Sequence, residues 1–168
     1  GSMILVNTII LVRSSLELSE IAFSITMLIF GAGCIFAAII IPYLSKEMTA
    51  SRIMLAGSSL LSIVFVALAF WLILFDFIWF VLLLAWFISG FGYTLLLTPM
   101  GRVIRKVSSV DQFSQVYSAQ FSLSHLCWLF MYPLSGYLMT TSGGPFTLLT
   151  LAMLMVCSNI IAAWHFRS

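Results

Sequence analysis

IMLAGSSLLSIVFVALAFWLILF, residues 53 to 75, holds no charged side chain from end to end. At ~1.5 Å of rise per residue, a helix of this length crosses a hydrocarbon core about 30 Å thick. One acid, Asp76, separates it from a second run of the same kind, Phe77 to Met100. A bilayer core admits helices or closed barrels only, and these runs are too long and too uniformly apolar for barrel strands. The β-branched and aromatic residues between Ile63 and Phe80 do not alter that reading, because lipid-facing helices tolerate them.

Working outward, three more full-length runs appear: Ile21 to Leu44, Gln115 to Met139 and Phe146 to Trp164. Hydrophobic residues make up 62% of the 168 and charged residues 7%. A soluble domain carries about 25% charged residues, so a solvated globular surface is excluded. Cys34, Cys127 and Cys157 all fall inside apolar runs with no CxxC pair, which indicates neither a disulfide framework nor a zinc site. Gly1 and Ser2 read as a tag remnant, leaving one membrane domain over residues 3 to 168. Met3 to Val12 is apolar but reaches only about halfway across a bilayer. It reads either as a crossing helix that has lost its beginning or as a short interfacial segment. It does not read as a signal peptide, since no basic region precedes it and no cleavage site follows it.

The loop charges bear on that choice. Lys46 and Arg52 face only Glu47; Arg102, Arg105 and Lys106 face only Asp111; the tail carries His165 and Arg167. On the other side Arg13 is offset by Glu17 and Glu20, the turn at Asp76 has no cation, and Thr140 to Pro145 has no charge. Basic loops lie in the cytoplasm, so both chain ends are expected there and the number of crossings is even. Counting residues 3–12 as a truncated first crossing gives six spans: 3–12, 21–44, 53–75, 77–100, 115–139 and 146–164. An echo between Pro42-Tyr43-Leu44-Ser45 and Pro133-Leu134-Ser135-Gly136-Tyr137-Leu138 fits a 3+3 inverted repeat, the arrangement typical of secondary transporters.

Polarity divides the spans. The fourth gathers Ser89, Gly90, Gly92, Tyr93, Thr94 and Thr98; the fifth opens with Gln115, Tyr117, Ser118, Gln120, Ser122, Ser124 and His125, then meets Pro133 and Gly136. Polar spans face the protein interior or water and apolar spans face lipid, so spans four and five are expected to line a pathway, with three and six outside. His125 is the one ionisable side chain well inside a span. Its imidazole suits a soft or borderline metal, a proton or a hydrogen-bonding substrate; the other reading is a packing histidine satisfied by a neighbouring carbonyl or hydroxyl. Gly31, Gly33, Gly90 and Gly92 read mainly as close-packing positions, and Pro133 as a kink.

Enzyme chemistry finds no support. Ser135-Gly136 lacks the turn context and facing histidine of an intramembrane serine protease. Asp76 and Asp111 both sit at loops, where an aspartyl protease needs two buried acids, and His165 is at a membrane edge where paired haem ligands do not stand. No enzyme, no cofactor and no nucleic-acid partner is expected.

Six helices, cytoplasmic ends and longer basic loops after spans two and four resemble the C-terminal half of a major facilitator superfamily transporter, its seventh to twelfth helices. Residues 42–55, PYLSKEMTASRIML, resemble the loop signature of that family, with Pro42 in place of its glycine and Lys46 in place of its acid. The stretches Leu97 to Arg105 and Tyr117 to Tyr137 resemble a bacterial branch of nickel-resistance or related efflux proteins. The resemblance implies an all-α polytopic membrane bundle in the inner membrane, with spans one, two, four and five around a central cavity. It implies efflux of a small solute or ion, with the bilayer, and a missing N-terminal six-helix half or a second copy, as partners. The pathway residues expected are His125, Gln120, Ser124 and Tyr132 from span five and Ser89, Tyr93 and Thr94 from span four, with His125 as the titrating or metal-contacting member. Lys46, Arg52, Arg102, Arg105 and Lys106 are the cytoplasmic basic set. A free-standing membrane scaffold or regulatory protein without transport is the alternative.

Overall fold

Uncharged runs that cannot hydrogen-bond to lipid satisfy their own backbone by forming helices, and in a computed structural model of the chain, which describes residues 1–109 and 111–165, every element is helical. Arg167, counted above with the cytoplasmic cations, lies outside those residues. Helix α1, Ser2–Ile9, continues into a π-helical stretch, Ile10–Ser15; then come α2 (Glu20–Glu47), α3 (Ala50–Leu74), α4 (Trp79–Leu97), α5 (Met100–Val107) and α6 (Phe113–His165). Ser19 caps α2 by accepting from the Ala22 amide at 3.3 Å, and Glu20 in the first turn and Lys46 in the last complement the helix dipole.

Four helical segments are long and apolar enough to cross a membrane: Glu20–Glu47, Ala50–Leu74, Trp79–Val107 and Phe113–His165. The last has 53 residues and is broken at Gly143, where φ is +80° and ψ 174°. That conformation is essentially reserved for glycine, because a Cβ would clash with the neighbouring peptide groups. The helix therefore consists of a first arm up to residue 142 and a second from 144. Pro133 lies inside the first arm, where the backbone dihedrals stay helical.

Helix α4 stands between α2 and α3, which barely touch each other. Both of its contacts are made through glycine. A methyl group on Gly33 would lie 2.0 Å from the Phe87 carbonyl oxygen, and one on Gly90 would lie 2.1 Å from that of Phe30. On the other side of α4, a methyl on Gly57 would meet the Gly92 oxygen at 2.6 Å, and one on Gly92 the Gly57 oxygen at 3.0 Å. Backbones approach this closely only where no side chain intervenes, and van der Waals contact between them is what holds helices together in lipid. Gly31, by contrast, has open space around it.

The core is built around α1 and its π-helical continuation. Met3, Ile4, Leu11 and Val12 are buried with Phe65, Leu68, Leu82, Trp86, Leu148 and Leu151. One face of the run that was too short to cross is thus packed against the other helices, while Leu5 and Ile9 on its other face stay exposed. Polar bonds fix it there: the Trp86 indole donates to Thr8 Oγ1 at 2.8 Å, and Asn7 Nδ2 donates to Ser135 Oγ at 2.7 Å. Thr26 Oγ1 similarly takes the Trp79 indole at 3.0 Å while donating to the Ala22 carbonyl.

The expected ordering of helices by polarity needs one correction. Span three was placed outside, facing lipid, yet α3 packs against both α4 and α6, and half of its most apolar window is buried. In lipid a packed surface and a lipid-facing one are equally apolar, so hydrophobicity does not separate them.

Candidate functional site

The first arm of α6 is where most of the expected pathway residues stand. Between Ser114 and Phe130 every residue is exposed except Gln120, Ser124 and Trp128, which are half-buried. This stretch has little cover from the other helices of the chain; its far half is held by α1, through Asn7 on Ser135 and Val6 beside Gly136. Gln120 and Ser124 satisfy each other: Gln120 Nε2 donates to Ser124 Oγ at 2.7 Å, and that hydroxyl donates to the Gln120 carbonyl at 3.0 Å.

His125 is exposed, with Nδ1 2.9 Å from the Phe121 carbonyl oxygen. A carbonyl can only accept, so Nδ1 is the donor in this contact. The imidazole is flanked by the rings of Phe121, 4.0 Å away between centroids, and Trp128, 4.8 Å away. Trp128 in turn stacks on Tyr132 at 5.9 Å, nearly parallel. The bond to the Phe121 carbonyl is one that a packing histidine would also make.

From α4, Tyr93 is half-buried, its ring 6.0 Å from that of Phe30 on α2. Tyr132 is likewise half-buried, on the first arm of α6, and so is Thr94, next to Tyr93 in sequence. Ser89 does not join them: it is fully buried in the core, and its hydroxyl has no partner among the described residues. Sequence reasoning missed Asn7, also fully buried, whose Oδ1 lacks a partner among the described residues while its Nδ2 is engaged. A lone carboxamide in an otherwise apolar ten-residue run was the available signal.

Among the described residues no three His, Cys, Asp or Glu side chains come together, so a metal at His125 draws fewer than three such ligands from them. Two open surface depressions, about 450 and 430 Å³, lie at the start of α2 around Glu20 and Ser24, remote in sequence from the pathway candidates. There Arg13 and Glu20 form an exposed pair at 3.4 Å, a contact of little energetic weight.

The basic set lies at helix ends. Lys46, Arg52, Arg102, Arg105 and Lys106 are all exposed, and none is in an ion pair among the described residues. Lys46 Nζ sits 5.7 Å from the Tyr43 ring centre, and the Arg105 guanidinium 5.4 Å from that of Phe113. Helix α5 carries the last three cations on its outer side, with Ile104 buried on the inner.

Compared with known proteins, the chain matches one family model, described as Major Facilitator Superfamily, over residues 1–168. No curated protein and no solved structure matches it.

Proposed function

Because the chain belongs to the major facilitator superfamily, whose members carry small solutes across membranes, we propose that it forms the C-terminal, six-crossing half of a secondary transporter that exports its solute by alternating access. The crossings are α1 with its π-helical stretch, α2, α3, α4 and the two arms of α6. Both termini and the cations of α5 face the cytoplasm of an inner membrane. The solute passes along the first arm of α6, beside His125, Gln120, Ser124 and Tyr132, and meets Tyr93 and Thr94 of α4, with Ser89 in the interior behind them. An N-terminal half, or a second copy, closes the opposite wall.

One observation carries this reading: the arm richest in polar residues, with the one ionisable side chain inside a span, is the arm least covered by the rest of the chain. An exposed imidazole facing hydrocarbon is costly, whereas one facing a water-filled path is not. A divalent cation, the cargo of the nickel-resistance branch, would have to find its remaining ligands on the other half.

The test is flux through the complete transporter in proteoliposomes, against a panel of divalent metals and hydrophobic organic solutes. His125→Ala is expected to lower flux several-fold with the amount of folded protein unchanged. Unaltered flux would remove His125 from the pathway. Cross-linking that finds only monomers, with no flux of any solute, would leave the scaffold reading in its place.

A further inference from the structure

We propose that α5, at the end of the bundle where α4 leaves the membrane, binds the phosphate headgroups of anionic phospholipids through Arg102, Arg105 and Lys106. Such binding requires a bilayer and no transport, and it uses none of the pathway residues.

Length sets the depth. The 19 residues of α4 rise ~28 Å, about the thickness of the hydrocarbon core. Thr98 and Pro99 then lead directly into α5, which therefore begins at headgroup level. At about 100° per residue, Arg102, Arg105 and Lys106 share one arc of this helix, and Met100, Val103, Ile104 and Val107 share the opposite one. Within the apolar arc only Ile104 is buried; Met100 and Val103 are half-buried and Val107 is 76% exposed. The chain thus leaves part of that arc to hydrocarbon from elsewhere, beside three cations with no acid paired to them among the described residues. A phospholipid brings phosphate and acyl chain together, which free phosphate does not.

Orientation in the membrane asks for cations in this loop but not for their placement on one arc. The helix dipole favours Arg105 and Lys106 in the last turn, whereas it disfavours a cation as near the start as Arg102. Arg102 is therefore placed for a partner outside the helix. The Arg105 guanidinium, 5.4 Å from the Phe113 ring, is held at the same level, and its fork of N–H donors matches phosphate oxygens in pairs. Neighbouring elements add to the field. Helix α5 touches α3, and Ile41, Ile53 and Leu95 join the ends of α2, α3 and α4, so the exposed Lys46 and Arg52 stand at this end too. The adjoining loops offset these five cations only with Glu47 and Asp111.

The test uses the whole chain in dodecyl maltoside micelles carrying a trace of pyrene-labelled phosphatidylglycerol. Energy transfer from the tryptophans reports bound label, which unlabelled lipid competes away. Phosphatidylglycerol is expected to displace the label at about tenfold lower concentration than phosphatidylcholine. Arg102→Gln/Arg105→Gln/Lys106→Gln is expected to erase that preference. Arg102→Gln alone, which relieves the helix dipole, is expected to reduce it several-fold without loss of helix content by circular dichroism, and decides the matter if the triple variant unfolds. Arg13→Gln, an exposed cation of the opposite end, is expected to leave the preference intact. Equal displacement by the two lipids, a preference unchanged in the folded α5 variants, an equal loss in Arg13→Gln, or displacement of the label by inorganic phosphate at the same concentration would each overturn the assignment.

Discussion

Asn7 donates through one nitrogen to both the hydroxyl and the carbonyl oxygen of Ser135, at 2.7 and 3.1 Å, across the contact between α1 and the first arm of α6. Both residues are fully buried. Without this bond the first arm would keep only apolar contacts with the rest of the bundle on that side.

A double-mutant cycle of Asn7→Ala and Ser135→Ala is therefore expected to show coupling of about 0.6 kcal/mol and at most about 1.7, the average and upper value for interhelical hydrogen bonds in membranes. Denaturation in mixed micelles measures it. Strict additivity would mean that the bond seen here contributes nothing net.

Gly33→Ala and Gly90→Ala should each destabilise the fold by about 1–3 kcal/mol or more, as overpacking does, because the added carbon meets a carbonyl oxygen of the facing helix. Gly31→Ala, two residues away in open space, should be neutral or stabilise by up to about 1 kcal/mol through helix propensity. Thermal unfolding of the three variants in one detergent decides the matter, and a similar response at 31 and 33 would contradict the close approach.

Trp86→Phe removes the indole N–H from Thr8 and a little volume, and should cost roughly 0.5–1.5 kcal/mol. Trp86→Ala leaves a cavity at the centre of the core and should cost about 3–5 kcal/mol. Thr8 keeps its own bond to the Ile4 carbonyl in both variants, so the difference between them reports packing. Equal losses would place the energy in the hydrogen bond.

At Gly143 the residue's own backbone sets the requirement, since a methyl there has nothing within 4 Å. Gly143→Ala should cost about 1–3 kcal/mol. Single cysteines introduced at 141 and 142 should, under the proposed topology, react with an impermeant maleimide from outside the cell, and cysteines at 46 or 102 only after permeabilisation. Labelling of both sets from one side would overturn the assigned crossings.

Much of the bundle was legible in the chain because lipid reduces the problem to length and charge: a long uncharged run has only the helix open to it. The helix borders at Glu20, Leu74 and Trp79 fall within a few residues of charges or turns visible in the sequence. Less could be read of how the helices face one another. The burial of α3 was hidden, because contact with a helix and contact with acyl chains use the same residues. Ser89 and Tyr93 look alike as polar positions one turn apart, yet one is sealed in the core and the other sits at the edge of the site. The ring sequence from Phe121 to Tyr132 was present as spacing, but its stacking depends on rotamers that no spacing specifies.

The two glycine contacts of α4 have a consequence for what the chain tolerates over many generations of mutation. Gly90 and Gly92 are two residues apart, about 200° around the helix, so one faces α2 and the other α3. Every amino acid other than glycine has a Cβ, so no replacement at these positions is conservative, whatever its polarity or size. At Gly90 a second mutation cannot make room, because the atoms in the way are backbone atoms of α2, whereas at Gly92 the Gly57 oxygen is joined by the side chains of Leu61 and Leu60. A shift of α4 that relieves one side compresses the other. The middle helix is thus held hardest on its α2 side, where the opposing surface is backbone, and drift in the sequence must pass around that contact.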